Sequence, residues 1–455
     1  MGLKIKEFLD TEMITFATYK TVQQIPNLMD NLSQTQRKLI HVLQSRPNKK
    51  VKTAEVFTMI YNETKYKHGD VSAYNTAENM AAPFNNNINL LKPEGTFGYR
   101  TVTEASSPRY TNIIFGKVSQ LIFNKRDIPL LEKQYAEGKE IEPFNLLPIV
   151  PLSLINGASG IAVGFASSIC PRHPNQIIDI LIKLLTGKTK VIPNNLPVSY
   201  PFFNGDIYTG ETDKQFIVAG KISQHSKKNT LEITEVPIGK DRAHMIKLLN
   251  TLKDNGKIRS FFEDCKKNSF NFLVKVEENI YNLPNDKLLE YFKLTSKVSD
   301  NIVFLNRENE QYSINTFETV SDFLRVWIPK RLQFYKLRLR HELKVLEEDI
   351  LKFQEQIRFI KLVNDNHIII NKQSRQKILD QIINFEFAEY NESFDYLLKM
   401  PIYNLSSEQS IILNDRLNNA IAEFEEKKLI TPASVWVEEL RELKKEIKKE
   451  ISVKY

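Results

Sequence analysis

YKHGDVSAYNTAENMAAPFNNNINLLKPEGTFGYRTVTEASSPRYTNIIF, residues 66–115, is the stretch whose reading decides the fold. It opens on Lys67-His68-Gly69-Asp70, where the glycine suits a junction between two short helices. The apolar spacing predicts a second helix over roughly 71–84, then strand-like pieces in FGYRTVTE and YTNIIF. Upstream, LMDNLSQTQRKLIHVL (28–43) sets Leu32, Gln36, Leu39 and Val42 at helical spacing with polar residues between them. Short helices meeting at a glycine-containing turn and followed by short strands are the pattern of a winged helix.

Residues 104–115, EASSPRYTNIIF, pose a narrower question about Tyr110, one of 17 tyrosines. Arg-Tyr alone means little, and a tyrosine before Ile-Ile-Phe suits ordinary strand packing. The rest of the chain has to decide. At 455 residues, with 42% hydrophobic and 26% charged residues, it is a folded protein of two to four domains. No apolar run approaches the length of a membrane span, and MGLKIKEFLDTEMITF carries no signal-peptide pattern. Two cysteines, Cys170 and Cys265, suit a reducing interior and exclude a disulfide framework or a cysteine-based zinc site. A net charge of +8 and a pI near 9.0 favour a polyanionic partner, although a lysine-rich composition gives the same numbers.

From about residue 141 the chain turns apolar and proline-punctuated, and residues 196–310 mix strand-like LEITEVPIG, NFLVKVEE and NIVFL with helical DRAHMIKLLNTLKDNG. Leu339, Leu343, Leu346, Ile350, Phe353, Ile357 and Ile360 alternate steps of four and three, the seam of a coiled coil. Leu413, Leu417, Ile421 and Phe424 begin a returning helix, so an antiparallel hairpin is expected. The charged tail LRELKKEIKKEISVKY reads as a solvated helix face. Together these patterns describe an α+β multidomain chain.

Four stretches in order, the Asp30–Lys38 segment, the HGD-to-FGYR run, EASSPRYTNI and PIVPLSLINGASGIAVGFASSICP, resemble the breakage–reunion core of type IIA DNA topoisomerases. The resemblance is strong over about 5–195 and looser beyond. TQRKLI, NNINLLKPEGTFGYR and ASSPRY look eukaryotic or viral, NGASGIAVG looks bacterial, and the length is similar to the stand-alone subunits of T-even-like bacteriophage. It implies an N-terminal arm (1–22), a winged-helix breakage–reunion domain (23–150), a tower domain (151–310), and a long antiparallel coiled coil with a small helical gate for dimerisation (311–455), the gate near 365–410.

The same resemblance implies residue roles. Tyr110 would be the nucleophile that links to a DNA 5′ phosphate, conserving bond energy in a phosphotyrosyl ester that the 3′-hydroxyl can reverse. Arg109 would stabilise charge on the pentavalent phosphorus, Arg37 would hold the scissile or adjacent phosphate, and His68 would orient the tyrosine or bond the phosphate. Arg109 and Tyr110 are expected at a strand end or turn, since strand neighbours face opposite ways. Ile161 would wedge between base pairs. Lys38, Lys65, Lys67 and Arg100 would contact phosphates. On composition alone, His68 reads as a cap, Ile161 as core and Arg109 as an exposed clamp.

Departures from the family pattern matter. Its Asp-Gly-Leu-Lys-Pro is Asp30-Asn31-Leu32-Ser33-Gln34 here, losing a glycine and a basic contact. The serine and acidic residue that anchor quinolones in bacterial relatives fall at Val71 and Asn75, so weak sensitivity is expected. The sequence has no Asp-x-Asp and no full Gly-x-x-x-x-Gly-Lys-Ser/Thr loop. Mg²⁺ and ATP are therefore expected on partner TOPRIM and ATPase subunits. Further expectations are a homodimer on double-stranded DNA, no membrane, and the cytoplasm of an infected host cell. The alternatives are a non-catalytic architectural clamp with the same fold, and a gyrase-like supercoiling enzyme, which the missing wrapping domain disfavours.

Overall fold

The computed structural model describes residues 9–194, 196–390, 392–401 and 407–455. It divides into two units, residues up to Arg331 with Trp436–Tyr455, and Leu332–Val435.

In the first unit, α1 (Ile14–Gln24) leads through a left-handed Asn31 into α2 (Gln34–Gln44). Ser33 and Gln36 form a capping box that starts α2 at Gln34, so Leu32 lies ahead of the helix while Leu39, Ile40, Val42 and Leu43 fill its buried face. Strand β1 (Lys50–Lys52) follows, then α3 (Val56–Thr64) and α4 (Asp70–Ala81). The turn between these helices differs from the glycine-centred expectation. Lys65 takes the left-handed conformation that ends α3, at φ 52°, while Gly69 is an extended N-cap at φ −67°. Strands β2 (Lys92–Glu94) and β3 (Asn112–Ile114) complete a small antiparallel sheet in the order β1-β3-β2, with Ile114 opposite both Lys50 and Lys92.

Further along the chain lies a tight hairpin, β4 (Ala158–Ile161) paired with β5 (Ala166–Ile169). Beyond it stands a four-stranded antiparallel sheet ordered Lys221–Gln224, Thr230–Glu235, Phe272–Lys275, Ser260–Glu263. The helix Arg242–Asp254 packs Met245 and Leu249 onto Leu231, Ile233, Phe272 and Val274. Alternate residues of the central strands point into this core, which is the period-two burial of a half-covered sheet.

The helix Val320–Asn364 begins in the first unit and continues into the second. Within the second, Leu339 and Ile360 are buried and the intervening seam positions are half-buried. The returning helix Ser407–Leu429 buries Leu413 but exposes Ile421, with Ala420 buried beside it. Lys427 of that helix reaches Glu342 at 3.1 Å. A separate core forms from Phe359, Ile368, Ile382, Phe387 and Leu397.

The expected last domain, 311–455, is split. The helix Pro432–Lys454 belongs to the first unit from Trp436 onward. Trp436 lies 5.8 Å from Trp327, and its indole N–H donates to the Ile149 carbonyl at 2.9 Å. The tail is not a wholly solvated face. Leu440, Leu443, Ile447 and Ile451 recur every three or four residues and are buried, as are the charged Glu439 and Lys454, while most of the other charges line the opposite side. Among the described residues no helix is long and apolar enough to cross a membrane.

Candidate active site

Tyr110 sits in a turn that enters β3, its N–H donating to the Ser107 carbonyl at 2.8 Å. The flanking backbone is fixed on both sides. Ala54 N–H donates to the Pro108 carbonyl at 3.2 Å and Thr53 N–H to the Thr111 carbonyl at 3.0 Å. The buried hydroxyls of Thr53 and Thr111 lie 2.9 Å apart. Gly95, at φ 104°, packs against this turn, where a Cβ would come within 3.3 Å of the Tyr110 carbonyl. On this braced backbone the Tyr110 side chain is 71% exposed. A large aromatic held on rigid backbone yet left in solvent is poor packing and good presentation. Arg109 is exposed beside it, its guanidinium 5.5 Å from the phenol ring.

His68 lies in the turn ahead of α4. Gln23 Nε2 is 2.7 Å from His68 Nε2, and because an amide nitrogen can only donate, the ring nitrogen accepts. The ring also meets Tyr66 edge-on at 5.3 Å. Burial lowers its pKa, and Lys20 and Lys38 lower it further, which favours the neutral imidazole. Helix α4 ties this turn to the Tyr110 turn. Tyr66 Oη is 3.1 Å from Ser72 Oγ, and Tyr74 Oη donates to the Ala54 carbonyl at 3.2 Å. Val71 and Asn75 are exposed on the same helix.

Three expected cations are placed differently. Arg37 is buried, its Nε 2.5 Å from Asp30 Oδ2. Burial opposes its charge, but Asp30 outweighs that and raises its pKa. Lys38 is buried against Glu142 at 2.7 Å and the Thr64 carbonyl at 2.8 Å. Arg100 is buried against Glu235 at 2.8 Å, between the rings of Phe203 and Phe270. Lys38 and Arg100 are therefore interior ion pairs rather than phosphate contacts, because a buried carboxylate already takes each charge. Lys65 is at the surface, held 2.8 Å from Glu137, and Lys67 is exposed. Among the described residues no hydrogen bond or ion pair joins Arg37 or His68 to Tyr110.

Ile161 is not core. It is 79% exposed at the end of β4, next to the hairpin tip. The hairpin sits directly on α1, because a Cβ on Gly160 would lie 2.1 Å from the Gln24 carbonyl. Sequence reasoning missed Gln23, Tyr66 and Gly160, which carry no local signal of these contacts. The lost motif glycine has a local explanation. Asn31 keeps the left-handed backbone at φ 60°, which asparagine tolerates better than most residues. Among the described residues no cluster of three His, Cys, Asp or Glu side chains could hold a metal ion, so no step is assigned to a metal bound by this chain.

The DNA gyrase/topoisomerase IV A-subunit family matches residues 24–441. The chain belongs to that family. It is 28% identical over 459 residues to the mitochondrial DNA topoisomerase 2 of Dictyostelium discoideum, covering 97% of this chain and 35% of that protein. It is 26% identical over 452 residues to the DNA topoisomerase medium subunit of Enterobacteria phage T4, covering 97% of this chain and 98% of that one. The crystal structure of the Plasmodium falciparum topoisomerase II DNA-binding, cleavage and re-ligation domain superposes with a TM-score of 0.88 at 27% identity, over 99% of this chain and 65% of that one. The chain thus spans about a third of the length of its eukaryotic relatives such as the Dictyostelium enzyme.

Proposed function

We propose that this chain cuts and reseals DNA as the breakage–reunion subunit of an ATP-dependent type IIA topoisomerase. The observation that carries the reading is the exposed Tyr110 phenol on a braced turn, with Arg109 alongside. Tyr110 Oη attacks a backbone phosphorus, the bond to the 3′ oxygen breaks, and a 5′-phosphotyrosyl ester forms. Resealing reverses this step, with the 3′-hydroxyl displacing the phenol. Arg109 sits where it can balance charge on the phosphoryl oxygens. His68, neutral and held by Gln23, has its remaining ring N–H to offer a phosphate oxygen or the tyrosine. Arg37 stiffens the motif through its Nε and Nη2 bonds to Asp30.

In this reading α3 and α4 are the helix–turn–helix of a winged helix, residues 196–310 lie in the tower, and Leu332–Val435 carry the coiled coil and gate. Two copies hold one duplex between them, and partner subunits supply the TOPRIM-bound Mg²⁺ and the ATPase in the cytoplasm of an infected host cell.

The test is covalent trapping on plasmid DNA with the candidate partners present, quenched with detergent and digested with protease. Linear DNA bearing protein on its 5′ ends, lost in Tyr110→Phe, is expected. Tight DNA binding without cleavage by either version, despite active partners, would support the architectural clamp instead.

A further inference from the structure

Within the second unit, a groove of about 560 Å³ runs along the helix Val320–Asn364 where it meets Phe424 and Pro432. Its floor is apolar. Leu339 is buried there, and Leu343 and Phe424 are half-buried. Its rim is a row of exposed cations, Lys336, Arg340 and Lys344, closed by Glu347. Residues four apart on a helix lie one above another, about 6 Å apart along the axis. The three cations therefore form one straight stripe beside the leucines. Leu429, in the stretch that leads to Pro432 at the edge of the groove, is 85% exposed.

These charges stand without counterparts. Among the described residues the side chains of Lys336 and Arg340 make no ion pair or hydrogen bond, and Lys344 meets only Glu348 of its own helix, at 3.6 Å. The same two helices do pair charges elsewhere, since Lys427 reaches Glu342 at 3.1 Å. An unpaired cationic stripe over an apolar floor selects among partners. A nucleic-acid backbone would use the cations and leave the leucines wet. An amphipathic helix uses both. Its own four-residue repeat has the same 6 Å step, about one turn, so acids at that spacing meet Lys336, Arg340 and Lys344 in order. The apolar residues beside those acids then enter the floor.

We propose that this groove docks an acidic amphipathic helix of a partner protein, which packs as a third helix against the pair. The surface is independent of the cleavage reading above, and neither stands or falls with the other.

The probe is a fluorescein-labelled peptide of about 20 residues, enough to span the row, with Glu at every fourth position beside a leucine stripe. Fluorescence anisotropy with the full chain is expected to show saturable binding that weakens with salt. Lys336→Glu/Arg340→Glu is expected to weaken it roughly tenfold. A peptide with Lys in place of Glu is expected to bind that variant and not the parent, and one with Ser in place of Leu to bind neither. No binding by the glutamate peptide overturns the proposal, as does binding that survives the charge reversal. A DNA duplex whose affinity falls as far as the peptide's in the reversed variant also overturns it, making the row a nucleic-acid surface. Self-association abolished by the reversal overturns it in favour of a second copy. If the reversed variant does not fold, Lys336→Gln/Arg340→Gln decides the matter: a smaller loss of affinity supports the proposal and an unchanged affinity overturns it.

Discussion

The Lys454 ammonium lies 2.6 Å from Asn89 Oδ1, and the same nitrogen donates to the Asn86 carbonyl and to Glu450 Oε1, each at 2.7 Å. Both asparagines return this grip to α4. Asn86 Nδ2 donates to the Asn79 carbonyl at 2.6 Å and Asn89 Nδ2 to the Ala81 carbonyl at 2.5 Å. The last helix is thereby fastened to the helix that starts at the His68 turn. Lys454→Met leaves buried acceptors unpaired and is expected to cost about 1–3 kcal/mol. Urea denaturation measures this, and an unchanged midpoint would show that the contact is incidental.

Asp30 accepts from Arg37, from Leu32 N–H at 2.9 Å and from Leu146 N–H at 3.0 Å. Asp30→Ala strands a buried guanidinium, and a loss of about 3–5 kcal/mol is expected. Equal stability of the variant and the parent would mean that Arg37 finds solvent without unfolding, which would also make it free to meet a phosphate.

Gly160 is a packing requirement rather than a conformational one. A methyl group there meets the Gln24 carbonyl, so Gly160→Ala must push the hairpin off α1. The expected cost is about 1–3 kcal/mol. An unchanged urea midpoint in Gly160→Ala would count against the seating of this hairpin.

His68 contributes a pH dependence of stability. Its pKa is lowered in the folded chain, chiefly by burial and then by Lys20 and Lys38. The unfolded chain therefore binds the proton first. The contribution is fully present above the ordinary histidine value of about 6.5 and is lost as pH falls through the depressed folded value. Parent protein should lose denaturant resistance between neutral and mildly acidic pH more steeply than His68→Gln. Parallel curves for the two proteins would exclude this coupling. The comparison within one background removes the opposing contribution of Glu142, whose pKa burial raises.

Val71 and Asn75, exposed on α4, carry neither a hydroxyl nor a carboxylate with which to anchor a quinolone. Low drug-stabilised cleavage is expected, with a severalfold rise in Val71→Ser/Asn75→Glu. Strong stabilisation at low micromolar drug in the parent would show a different anchoring mode.

The local chemistry of the site was legible in order along the chain. The two helices flanking the His68 turn and the Arg109-Tyr110 turn each depend on residues within about a dozen positions, and short-range steric and hydrogen-bonding preferences settle such units. Even the turn glycine was only half legible. Lys65 accepts the left-handed angle assigned to Gly69, because the helix end is fixed by α3 packing rather than by the residue best suited to it.

Charge was not legible. Lys38, Arg100 and Lys67 look alike in sequence, yet two of them are interior, each paired with a carboxylate 104 or 135 positions away. Whether a cation meets solvent or a buried acid depends on what the fold brings to it, and nothing local encodes that. The same holds for the tail, whose lysines and glutamates mask a buried leucine–isoleucine stripe. The sequence by itself determined the family and the local turns that present Tyr110. Only the tertiary structure decided which cations remain free and which surfaces are covered, because burial arises from contacts between residues far apart in the chain.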